Sequence, residues 1–157
     1  AEAVAAYVDA HRDEYQLIVT TQDWHIDPGE HFSETPDFVD TWPPHGVAGT
    51  DEAELHPALA NVNADVTVKK GQYKAAYSGF EGTTEDGKTL EEALRDAGIT
   101  DVDVVGLAES HCVASTAVDA VHAGFPTRVL RKLTAPVTEE LGAVAREWMM
   151  TEGVLLV

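Results

Sequence analysis

Residues 102–124, VDVVGLAESHCVASTAVDAVHAG, decide the fold. Val102–Leu107 is a nearly continuous apolar run of strand length. Such runs belong to parallel strands covered on both faces. Ala108-Glu109-Ser110-His111 then forms a short linker. Cys112–Ala123 follows as a helical stretch, and Gly124 supplies its C-cap. Strand, tight turn and helix in succession are the repeating unit of an α/β fold.

The same alternation extends in both directions. Gln16–Thr21 and Asp65–Lys69 read as strands upstream; Thr127–Leu130 and Val154–Val157 read as strands downstream. Thr89–Ala97 is helical and closed by Gly98, and Thr138–Met150 is helical with Thr138 as its N-cap. Val4, Tyr7 and Val8 fall on one face of a further helix at the start. The expectation is one three-layer α/β/α domain over residues 1–157, built on a mainly parallel sheet.

Ten Lys and Arg stand against 28 Asp and Glu, a formal net charge of −18. That balance argues against nucleic acid, which needs a basic patch, and against anionic membrane surfaces. A solvated acidic shell is the plain reading, with adaptation to high salt as the other. The single cysteine forms no internal disulfide and suits a reduced cytoplasm. No apolar run is long enough for a membrane helix, and no signal peptide is visible.

Residues 23–57 break the alternation. They carry five Pro, two Trp and four of the seven His. A loop of that length in a compact domain is usually functional. Asp23, His25, His31 and His45 lie in it, directly after the strand ending at Thr21. Alternating side chains put Asp23 and His25 on one face at the strand mouth. Three imidazoles and a carboxylate suit Zn, Fe or Mn. His56 is a further candidate, while His11 and His122 fall on expected helices and read as structural.

Cys112 is placed at a helix start, where the dipole favours a thiolate and backbone N–H groups can hold an oxyanion. A buried inert cysteine is the competing reading. Lys70 lies at the end of another strand, at Val68-Lys69-Lys70-Gly71, on the same sheet edge as Asp23 and Cys112 if the strand is parallel. Alone it reads as a solvated lysine; beside Cys112 it would favour the thiolate.

Together these segments resemble the nicotinamidase/pyrazinamidase branch of the isochorismatase-like hydrolases. The resemblance rests on Thr21–Phe32, on Trp42-Pro43-Pro44-His45, on Lys70-Gly71, on Tyr77–Gly82, and on Val104–Ala108 leading to His111-Cys112-Val113. It implies hydrolysis of nicotinamide, and of pyrazinamide, through a thioester on Cys112. It also implies Lys70 beside the thiol, an oxyanion hole from the N–H groups of Ala108 and Cys112, and a cis peptide between Leu107 and Ala108. Asp23, His25, His31 and His45 would hold one divalent metal. Trp42 would flank the substrate ring, with Tyr77, Leu107 and His111 nearby. The cellular place implied is pyridine-nucleotide salvage in the cytoplasm, with small molecules as partners; a homo-oligomer is left open.

The chain departs from that family at one point. The family's triad has an Asp at the end of a first, central strand, and no segment here matches it. The expectation is that this strand lies outside the 157 residues. Two other readings stand beside the amidase: a related hydrolase of another amide, and a metal-binding relative without catalysis.

Overall fold

The computed structural model describes residues 1–157. It contains four helices and five strands: α1 (Glu2–His11), β1 (Val19–Asp23), β2 (Val66–Lys70), α2 (Leu90–Asp96), β3 (Val102–Leu107), α3 (Ala114–His122), β4 (Thr127–Ala135), α4 (Glu139–Thr151) and β5 (Leu155–Leu156). The expected α/β architecture and its parallel pairing are present. The helix starts follow from their caps. Thr89 and Glu92 form a reciprocal capping box at α2, and Thr138 accepts the Leu141 N–H at α4.

The strands form two parallel ladders. β1 pairs with β2 from Val19↔Val66 to Asp23↔Lys70. β3 pairs with β4, and β4 with β5. β1 and β3 make no ladder with each other. Both instead line a cavity of about 440 Å³ that runs from Tyr7 and Tyr15 past Leu90 and Leu94 to Cys112.

Each sheet has its own apolar cluster. Val113, Ala114, Ala117, Val118, Val129, Ala145, Met149 and Val154 pack α3 and α4 onto the three-stranded sheet. Val68, Leu90, Leu94 and Phe125 pack α2 onto the other. Parallel strands leave their C-terminal ends on one edge. Asp23, Lys70 and Leu107 all stand at such ends.

Candidate active site

The register Asp23↔Lys70 places a carboxylate and an ammonium side by side at the ends of β1 and β2. Lys70 is 2% exposed. Its Nζ donates to Asp23 Oδ1, to the carbonyl of Ala76 at 3.1 Å and to Cys112 Sγ at 3.5 Å. A lysine read alone as solvated is thus buried between a carboxylate and a thiol. Burial opposes its charge, but Cys112 and Asp23 outweigh that and raise its pKa.

Cys112 sits in a wide π-type turn, Glu109–Val113, just ahead of α3, not on the first residue of an α-helix. Burial pushes its thiol above the ordinary value, and Lys70 pulls it back only in part. Burial therefore outweighs the cation beside it, against the lowering expected from a helix start. The backbone of Ala108 also pulls the thiol back in part. The peptide between Leu107 and Ala108 is cis, as the resemblance implied.

The histidines of the long loop come together as expected. Each uses Nδ1 against a backbone carbonyl: His25 on Gly71 at 2.7 Å, His31 on Asp40 at 3.1 Å, and His45 on Pro43 at 2.8 Å. A carbonyl only accepts, so each Nδ1 carries the proton and each Nε2 keeps a lone pair. Ligand atoms of the three rings lie within 4.8 Å of one another. Asp23 Oδ2 is 3.9 Å from His25 Nε2 and 4.0 Å from His45 Nε2. His25 Nε2 is buried with no hydrogen-bond partner. A buried acceptor left bare is costly unless a cation meets it. Three imidazoles oriented through Nδ1–H to carbonyls, plus one carboxylate, form a donor set that fits a divalent metal.

Gly71 is what lets His25 reach this position. Its φ is +74°, and a Cβ there would stand 2.6 Å from His25 Cε1. Any side chain would both strain the backbone and collide with the ring.

Aromatic groups wall the site. Trp42 Nε1 donates to Tyr77 Oη at 3.0 Å, and Tyr77 Oη donates to the Val39 carbonyl at 2.8 Å. His111 packs edge-on to Trp42 at 5.2 Å and tilted on Tyr77 at 5.4 Å. Leu107 stands apart from this wall; it is 68% exposed and lines the cavity between the sheets beside Cys112. His56 is also outside the cluster, its Nδ1 accepting from the Ala58 N–H. His11 pairs with Glu14 and His122 with Glu152, both structural as read.

Two further groups were not singled out in the sequence. Glu109, 2% exposed, lies inside the turn that carries Cys112. Arg146 of α4 binds its Oε1, and the Thr134 hydroxyl donates to its Oε2 at 2.6 Å. The available signal was a carboxylate in the short linker between an apolar strand and a helix, which needs a partner when buried. Its partner lies 37 residues downstream and has no local signature.

An Isochorismatase domain model matches residues 1–155. The chain is 48% identical over 157 residues to the nicotinamidase/pyrazinamidase of Mycobacterium tuberculosis, covering all of this chain and 84% of that protein. It is 37% identical over 134 residues to the nicotinamidase of Acinetobacter baylyi, covering 74% of this chain and 62% of that protein. Among solved structures, the zinc complex of Pyrococcus horikoshii pyrazinamidase superposes with a TM-score of 0.82 at 33% identity, covering 99% of this chain and 82% of that one. An L. infantum protein in complex with nicotinate superposes with a TM-score of 0.77 at 30% identity, covering 97% and 79%.

Proposed function

This chain belongs to the isochorismatase family, and from that premise we propose that it hydrolyses nicotinamide to nicotinate and ammonia, and pyrazinamide to pyrazinoate, in pyridine-nucleotide salvage. The observation that carries this reading is the position of Lys70. One ammonium touches both Asp23, which belongs to the metal-binding set, and Cys112. Nucleophile and metal-fitting cluster are therefore parts of one site.

The chemistry is acyl transfer to sulfur. Cys112 loses its thiol proton and attacks the carboxamide carbon. The C–N bond breaks, ammonia leaves with a proton, and a thioester remains. Water then attacks the thioester carbon, releasing the acid and regenerating the thiol. Lys70 stabilises the thiolate as it forms, which matters because burial disfavours it. The N–H groups of Ala108 and Cys112 are the donors assigned to the developing oxyanion. The acid–base Asp of the family's triad has no match among these residues.

Asp23, His25, His31 and His45 would hold one divalent ion, Zn, Fe or Mn. When bound it supplies a Lewis-acid contact for a heteroaromatic ring nitrogen. Trp42, Tyr77 and His111 form the flat wall against which such a ring would lie, with Leu107 at the neighbouring edge. Residues 1–157 act as one hydrolase domain in this reading, placed in the cytoplasm.

The test is ammonia release from nicotinamide by the metal-loaded protein, with Cys112→Ala as control. Turnover that survives in Cys112→Ala would sink the proposal. A panel with pyrazinamide and aliphatic amides separates a ring amidase from a hydrolase of another amide.

A further inference from the structure

Ser110 and His111 lie between the nucleophile turn and the aromatic wall. The N–H of Val137 donates to Ser110 Oγ at 3.1 Å. Ser110 Oγ lies 2.9 Å from His111 Nδ1. A hydroxyl has one proton and two lone pairs. Val137 occupies one lone pair. With the imidazole proton on Nδ1, the second lone pair would be filled and the Ser110 proton would have no acceptor in the chain. With Ser110 donating to Nδ1, each of the three groups is used. That arrangement puts the imidazole proton on Nε2, which makes no hydrogen bond within the chain. Burial lowers the pKa of His111 and so favours the neutral ring.

The other polar hydrogens of the wall are committed. Trp42 gives its N–H to Tyr77, and Tyr77 gives its O–H to the Val39 carbonyl. Of the three rings, His111 alone keeps a donor for a ligand. Lys70 and Cys112 are already hydrogen-bonded to each other.

We propose that Ser110 is the positioning residue that holds the His111 proton on Nε2, and that this N–H donates to the substrate's carboxamide oxygen as a third donor beside the N–H groups of Ala108 and Cys112. This rests on the amide-hydrolase reading for its substrate but not for its tautomer. Ser110 acts through His111, and the anchor of Ser110 is the Val137 N–H, in the segment joining β4 to α4.

The experiment is ¹⁵N NMR of the zinc-loaded full chain labelled at histidine, with His111 assigned by its loss in His111→Gln. The expected spectrum has one protonated nitrogen, Nε2, and one bare nitrogen, Nδ1. Ser110→Ala should draw the two signals toward an average of both tautomers, and Ser110→Thr should keep them apart. Adding nicotinamide to Cys112→Ala, which cannot turn it over, should shift Nε2. In kinetics, Ser110→Ala should raise KM about tenfold with a smaller change in kcat, and Ser110→Thr should restore it. A proton on Nδ1 in the unmodified protein, or an unchanged pattern in Ser110→Ala, overturns the positioning role. Nicotinamide that binds, followed by Trp42 fluorescence, without moving Nε2 overturns the donor role. Failure of nicotinamide to bind at all instead overturns the substrate reading, while the tautomer result is read independently of it.

Discussion

Lys70 and Cys112 meet at 3.5 Å across two sheets that share no backbone ladder, one at the end of β2 and the other after β3. The thiol is buried and raised, and Lys70 is the largest influence opposing that rise. Lys70→Met should therefore move the alkylation of Cys112 to higher pH. With iodoacetamide near pH 8 the rate should fall about tenfold or more. An unchanged pH profile would mean that the two groups are not coupled.

The histidine cluster predicts a metal-dependent melting curve. Zinc should raise the unfolding midpoint in proportion to the logarithm of its concentration, as for any ligand of the native state. His25→Ala and His31→Ala should remove most of that rise. His56→Ala, outside the cluster, should keep it. Calorimetry on the three variants checks this.

Asp103 predicts an acid limb of stability. Its carboxylate accepts from Tyr15 at 2.6 Å and from Arg128 at 2.7 and 2.6 Å. Burial opposes its charge, but these partners outweigh it and lower its pKa. A lowered folded pKa adds stability above the unfolded value, about 4, and that stability is lost as pH falls through the folded value. Asp103→Asn should cost about 1–3 kcal/mol near neutral pH, since Arg128 is half exposed. The difference from the unmodified protein should shrink below pH 4 in urea unfolding.

Glu109 predicts an asymmetric double-mutant cycle. Arg146→Met leaves its carboxylate in the turn without its cation. Glu109→Gln with Arg146→Met removes the stranded charge. The single Arg146 variant should unfold at lower urea than the double variant. Equal midpoints would show that Glu109 is hydrated despite its burial.

Tyr77 predicts a pocket effect. Tyr77→Phe deletes the acceptor of the Trp42 N–H and the link to Val39. KM for nicotinamide should rise several-fold, since the wall loses its order while Cys112 is untouched.

Much of this was legible in residue order. Val102–Leu107 has the strand bounds expected from its apolar run, and Thr89 and Thr138 cap the helices their spacing announced. The ligand spacing after Thr21 located the histidine cluster. The strand itself runs later than expected, Val19–Asp23, because pairing with Val66–Lys70 overrides local propensity. β4 extends to Ala135, past the expected Leu130, through an irregular register with Gly106 and Leu107. The burial of Lys70 and the Glu109–Arg146 pair depend on contacts distant in sequence, for which local pattern holds no signal. The same is true of the balance that raises the pKa of Cys112.

Gly71 carries a second consequence. Its left-handed backbone and missing Cβ leave room for the His25 ring, and its carbonyl takes the proton of His25 Nδ1 at 2.7 Å. One residue thus sets both the place and the tautomer of an imidazole in the metal-fitting cluster, and it directly follows Lys70. A side chain at this single position would disturb cation affinity and the seating of the lysine beside Cys112 together.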